Sequence, residues 1–167
     1  EGVESQVRAD ESADELSPHL KANALDAGLV NMKRPSRRPS SLKILQAIQH
    51  AKGLDKGAEL RDSFYVAYWE EGRDIGQMDV MQEIVESVGI DWPPLEAALI
   101  DNFYLDIVME DYQEGHENGF DGIPAFIIGD VKFTGAQPME LFRKLANRAQ
   151  QMIERDPEAF TRFKRIL

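Results

Sequence analysis

Gly122-Ile123-Pro124-Ala125-Phe126-Ile127-Ile128-Gly129, then Asp130, then Val131-Lys132-Phe133-Thr134-Gly135-Ala136-Gln137-Pro138, is the stretch on which the reading of this chain turns. Ile123 to Ile128 is a compact β-type run, and Val131 to Thr134 alternates apolar with polar residues. Gly129-Asp130 between them is a two-residue hairpin signal with glycine in the first central position. Gly135 ends the second strand. Gln137 with Pro138 then opens a long helix bearing Leu141, Phe142, Leu145, Ala149 and Met152, and Asp156-Pro157 restarts a short one with Phe160 and Phe163.

A lone two-stranded hairpin is marginal in water, and one helix covers only one of its faces. The remaining face needs strands from residues upstream of Glu1, strands from a partner chain, or direct packing of the preceding helices. The first is the most economical. A chain beginning with Glu1 instead of Met leaves open what precedes it.

Before the glycine-rich stretch Gly115 to Gly122 the pattern is helical throughout. Ser17 and Pro18 open a helix with Leu20, Ala24 and Ala27 on one face, stopped by Gly28. Ser40 or Ser41 caps a second, with Ile44, Leu45, Ile48 and Ala51, ended by Gly53. Asp55 caps a third, carrying Leu60, Phe64, Ala67 and Tyr68 until Gly72. Met81, Ile84, Val85 and Val88 form a stripe closed by Gly89; Asp91-Trp92-Pro93-Pro94 opens another with Leu95, Ala98 and Leu99, which Phe103, Ile107 and Val108 extend toward Gly115. Residues 1–12 show no sustained apolar period and read as a loosely attached lead-in. Lys33-Arg34-Pro35-Ser36-Arg37-Arg38-Pro39-Ser40-Ser41 reads as a loop that concentrates four positive charges. It is either a solvated surface or, through Arg34, Arg37 and Arg38, a contact for an anion.

A chain of 167 residues with 43% apolar and 29% charged residues folds as one domain, or a core with one inserted subdomain. Its net charge of −11 repels phosphate backbones and anionic lipid surfaces, so neither nucleic acid nor membrane is expected as a partner. The longest apolar stretch, Ile123 to Gly129, is far short of the roughly 18 residues of a membrane span, and no signal-peptide pattern opens the chain, so a cytoplasmic location is expected. There is no cysteine, hence no disulfide, thiolate metal site or thiol nucleophile in these residues.

The two halves of the hairpin, with the Gly135-Ala136-Gln137-Pro138 turn into the last helix, resemble the C-terminal part of the DsbA-type branch of thioredoxin-like proteins. Tyr68-Trp69-Glu70-Glu71-Gly72-Arg73-Asp74-Ile75 resembles a stretch of that branch's helical insertion, and the two matches stand in the right order. The similarity runs from about Glu1 to Arg155. It implies an α/β, thioredoxin-like fold with a large all-α insertion, divided as a lead-in over 1–16, the insertion over 17–121, the C-terminal half of the thioredoxin-like domain over 122–155 and a helical extension over 156–167. The family's first βαβ unit, with its Cys-x-x-Cys, has no counterpart here, nor does the serine substitute of the related hydroxychromene-carboxylate isomerases and kappa-class glutathione transferases.

What the resemblance implies for function is a thiol-disulfide oxidoreductase whose thiols lie outside these residues, so that this chain alone is inactive. Its partner would be a protein thiol or disulfide, or a glutathione-like molecule. Pro124 matches the family's cis-proline, so Ile123 and Pro124 become the candidate substrate-binding residues. Chemically, an X-Pro bond tolerates the cis form, at about 0.5–1 kcal/mol, and removes a backbone donor. Pro39-Ser40-Ser41 sits where several relatives carry a Pro-Asn-Thr-like turn, but helix capping already accounts for both serines. Two other classes stay open: a non-catalytic peptide- or self-binding module using the exposed sheet edge, including a homo-oligomer, and a glutathione-dependent isomerase of a small aromatic acid served by the arginine loop.

Other chemistry is poorly supported. His19, His50 and His116 fall on three segments without metal-ligand spacing, so no metal or cofactor is expected. Glu70-Glu71 and Glu110-Asp111 are helical neighbours that point apart. Tyr65, Tyr68 and Trp69 read as core and interface of the helical part.

Overall fold

The computed structural model describes residues 3–4, 15–33, 35–156 and 158. In chain order the elements are β1 (Val3–Glu4), α1 (Pro18–Asp26), β2 (Arg37–Arg38), α2 (Leu42–Lys52), α3 (Gly57–Trp69), α4 (Met78–Ser87), α5 (Trp92–Ile100), α6 (Leu105–Glu117), β3 (Ala125–Ile128), β4 (Val131–Thr134) and α7 (Met139–Arg155). The chain divides into two compact units, one ending at Val108 and one starting at Met109. The short helix expected around Phe160 and Phe163 lies outside the described residues. No helix among the described residues is long and apolar enough to cross a membrane.

The first unit is held by a helical core. Leu60, Met81, Val85, Leu95 and Leu99 are fully buried, and Ala47, Ala51, Phe64 and Trp92 pack with them. These residues recur three or four apart on α2 to α5, so each helix turns one apolar stripe inward. α2 packs on α3 and α5, and α4 packs on α3 and α5. The Lys56 ammonium donates to the carbonyls of Val88 and Gly89 just past α4, where backbone acceptors have no helical partner.

One device ends most of these helices, and the sequence discloses it only in part. After α1, Leu29 N–H bonds Ala24 O at 2.8 Å around Gly28 at φ 78°; after α4, Ile90 N–H bonds Val85 O at 3.2 Å around Gly89 at φ 71°. The same bond occurs after α2, from Lys56 N–H to Ala51 O at 2.9 Å, but the left-handed residue is Asp55 at φ 57°, while Gly53 stays right-handed at φ −65°. Asp55 therefore does not cap α3, as its position suggested; it closes α2, a conformation Asp tolerates better than most residues. After α5, Phe103 N–H bonds Ala98 O at 2.9 Å around Asn102 at φ 53°, so the pattern read as one extended helix breaks into α5 and α6. α6 runs through Gly115 to Glu117.

Two further expectations are corrected. Ser17 and Ser41 precede α1 and α2, yet neither makes a side-chain capping bond. Arg37–Arg38 are not loop: they pair antiparallel with Val3–Glu4 of the lead-in, Val3 opposite Arg38 and Glu4 opposite Arg37. A pairing of two residues is too short to show the alternation by which a strand is read from sequence.

The second unit contains the hairpin and the last helix. β3 and β4 pair antiparallel with Phe126 opposite Phe133 and Ile128 opposite Val131, which sets Gly129, at φ 63°, and Asp130 as the two turn residues. Phe126 and Phe133 share a face, and Phe142 of α7 meets both, with ring centroids 4.8 and 5.4 Å away. Arg148 of α7 pairs with Asp130 at 2.7 Å and ties the helix to the hairpin turn. All of β3 stays half-buried, and Leu145 is the one buried apolar residue of this unit among the described residues. The outer edge of β3 has no strand beside it among those residues.

Candidate functional site

The expected substrate-binding residues lie at the start of β3. The Ile123–Pro124 peptide is cis. Pro124 O accepts from Gly135 N–H at 2.8 Å, which closes the open end of the hairpin. Ile123 just before it is 95% exposed, and its own N–H and C=O have no partner among the described residues. An exposed apolar side chain beside free backbone groups at a sheet edge can take the backbone of an extended partner.

The arginine loop is arranged differently from a free anion cluster. Arg34 lies outside the described residues. Arg37 Nε stands 3.5 Å from Asp74 Oδ2, so its charge is largely matched inside the protein. Arg38 is exposed and acts electrostatically on Tyr68. Asp74 is the organising residue: it also accepts from Gly76 N–H at 3.2 Å and from Gln77 Nε2 at 3.1 Å, which holds the turn between α3 and α4. In the same stretch Arg73 pairs with Glu83 and stands 3.6 Å from Glu71, and Ile75 is buried. The motif resemblance of this stretch thus coincides with a turn fixed by ion pairs and one apolar anchor.

This turn, with Arg37, also forms one side of a cavity of about 620 Å³. Its other walls bring in Lys43, Gln46 and Asn102, none of which the sequence reading singled out. Gln46 carried a signal: a polar residue inside the run Ile44-Leu45-Gln46-Ala47-Ile48. It is 1% exposed, with its Oε1 lacking a partner among the described residues and its Nε2 3.5 Å from Asn102 Oδ1.

The three histidines are each engaged locally. His19 contacts Asn23, His50 Nδ1 is 3.2 Å from the Tyr104 hydroxyl, and His116 stacks on Tyr112. No three His, Asp or Glu side chains gather as a metal site among the described residues. Tyr65 is exposed rather than core; Tyr68 and Trp69 are half-buried and meet edge to face at 5.0 Å.

Burial raises the Tyr68 hydroxyl above its ordinary value of 10.0; Arg38 opposes the shift and Asp74 adds to it. An acid whose folded-state pKa is raised holds its proton after the unfolded chain has released it. Its contribution to stability is complete below pH 10 and is lost as pH rises through the folded value. Tyr68→Phe is therefore expected to flatten the loss of stability above pH 10 and to remove from the absorbance titration a phenol that ionises above its ordinary value. An unchanged alkaline limb would refute this assignment.

Comparison with known proteins places these features. The model of the DSBA-like thioredoxin domain matches residues 5–147. An uncharacterized protein of Bacillus subtilis (strain 168), YwbO, is 27% identical over 123 residues, covering 73% of this chain and 62% of that protein. The solved structure of a probable DsbA oxidoreductase from Streptomyces coelicolor, SCO1869, superposes with a TM-score of 0.72 at 26% identity, covering 80% of this chain and 58% of that one. The chain thus spans about three fifths of the length of these relatives. Its helical elements and its hairpin with α7 accord with an α/β, thioredoxin-like fold carrying a helical insertion, and the chain belongs to the DsbA-like thioredoxin-domain family.

Proposed function

We propose that this chain is the substrate-facing portion of a DsbA-like thiol-disulfide oxidoreductase, with its redox thiols supplied by residues outside these 167. The observation that carries the reading is the open backbone and exposed side chain of Ile123 next to Pro124, in a chain of this family. A thiolate of the missing segment attacks one sulfur of a substrate disulfide. The S–S bond breaks, a mixed disulfide forms, and the other sulfur leaves as a thiolate. Ile123 pairs with the extended substrate backbone and holds the disulfide in place, while Pro124 leaves that edge free of a competing donor. The substrate is a protein or glutathione-like thiol or disulfide, no metal or cofactor takes part, and the location is cytoplasmic.

The open edge of β3 favours one other reading, a module that completes its sheet with a peptide or a second copy. Intact mass of the source protein, with a free-thiol count under denaturing conditions, separates the two. A mass several kilodaltons above 18.9 kDa with one or two thiols is expected. A mass equal to that of this chain, with no thiols, overturns the redox reading and leaves the binding module.

A further inference from the structure

The loop that leads from α6 to Ile123 holds two steps at which the backbone can close a ring on its own side chain, Asn118-Gly119 and Asp121-Gly122. In such a step the nitrogen of the following residue attacks the side-chain carbonyl carbon and forms a five-membered imide. Glycine permits the approach because it has no Cβ and reaches backbone angles that other residues avoid. No other Asn or Asp of the chain precedes a glycine. By residue type alone Asn118 is the faster of the two, since an amide loses ammonia more readily at neutral pH than a carboxyl group loses water.

The structure reverses that order. Asn118 Nδ2 donates to Glu114 O at 3.0 Å and its Oδ1 accepts from Lys132 Nζ at 2.8 Å, so the side chain is held at both ends. The attacking nitrogen is held as well. Gly119 N–H donates to His116 O at 2.8 Å, and Phe120 N–H to Gly115 O at 3.1 Å, around Gly119 at φ 81°. Cyclisation at Asn118 therefore has to wait for the end of α6 to open. Asp121 and Gly122 are both exposed, and neither has a partner among the described residues. The Gly122 N–H has only water to give up. A Cβ built on Gly122 would meet no atom within 4 Å, so no neighbour restrains the chain at that point.

We propose that Asp121 is a site of spontaneous isoaspartate formation in the folded protein, and that Asn118 keeps its amide. Gly122 N bonds to Asp121 Cγ; the carboxyl group gives up its hydroxyl, which takes the Gly122 amide proton and leaves as water. Water then opens the imide at the main-chain carbonyl and breaks its bond to Gly122 N. The backbone now runs through the Asp121 side chain, the α-carboxylate is free, and no atom has been gained or lost. The extra methylene stands two residues before Ile123, so the edge assigned to substrate changes register as the protein ages. That consequence rests on the redox reading; the modification itself does not.

The test incubates the folded 167-residue chain in neutral buffer over several days. An L-isoaspartyl methyltransferase with labelled S-adenosylmethionine is the probe for isoaspartate, and fragment mass spectra place it. Methyl acceptance that grows with time and maps to position 121 is expected, with no ammonia released and no change in mass. Gly122→Ala and Asp121→Glu should each abolish it, the first by hindering the nitrogen and the second by demanding a larger ring. An alanine fits at 122, where φ is not left-handed and the added Cβ is free of contacts, so the fold is kept. Asn118 should hold its amide in the folded chain and lose it in urea, faster there than Asp121 isomerises. Faster loss of the Asn118 amide in the folded chain, absence of isoaspartate, or full methyl acceptance in Gly122→Ala overturns the assignment. Retention of the Asn118 amide in urea overturns the protective role of the α6 end.

Discussion

Leu99→Ala is expected to remove about 3–4 kcal/mol from the stability of the helical unit, read as a lower urea midpoint at an unchanged slope. Leu99 is fully buried on α5, which packs on α2 and α4, and Leu95 and Val85 share its core. Truncation removes the transfer free energy of three carbon atoms and leaves a void that rigid neighbouring helices close only in part. Against a typical domain stability of about 5–15 kcal/mol, that loss populates the unfolded state visibly on warming. The adjacent residue supplies the control. Ile100 is 65% exposed, so Ile100→Ala should shift stability by no more than about 0.5 kcal/mol. Similar costs for the two substitutions would mean that the apolar stripe of α5 is turned differently from the geometry described above.

Phe142→Ala is expected to open the hairpin of the second unit. Phe142 lies 4.8 Å from Phe126 and 5.4 Å from Phe133 by ring centroid, while those two strand residues stack at 5.2 Å. A two-stranded sheet does not persist in water without an apolar cover on at least one face, and α7 supplies that cover through this ring. All three rings are only half-buried, so the cost falls below the 3–5 kcal/mol of a fully enclosed phenylalanine. About 2 kcal/mol is expected, seen as roughly 30-fold faster hydrogen exchange at the β3 and β4 amides. Phe142→Leu should recover most of the protection. Unchanged exchange in the alanine variant would show that something other than α7 holds the hairpin together.

Most of the fold was legible along the chain because the signals are local. The apolar stripe on α4, the proline-led start of α5 and the Gly129-Asp130 turn each depend on a few consecutive residues. The left-handed residues were read less well. Gly28 and Gly89 announce themselves, but Asp55 and Asn102 take the same conformation without being glycine, and Asp55 looked like a helix start. A residue type sets what a turn costs; packing on either side decides whether the turn occurs.

The candidate site divides along the same line. Ile123 and Pro124 could be named from sequence because their neighbours carry a recognisable pattern. Lys43, Gln46 and Asn102 could not, since what makes them notable is being brought beside Arg37 and Asp74 from separate elements. The arginine loop shows the converse: three basic residues suggest an anion contact, yet Arg37 is turned toward an internal carboxylate.

By itself the sequence determined the order of helices and hairpin, the apolar faces of those helices, the absence of any thiol in these residues and the resemblance to the DsbA branch, because each follows from residue identity and short-range spacing. Only the tertiary structure decided which charges meet, which amide is buried and which backbone groups stay open. Those outcomes depend on contacts between residues distant in the chain, whose free energy exists only once the helices have packed.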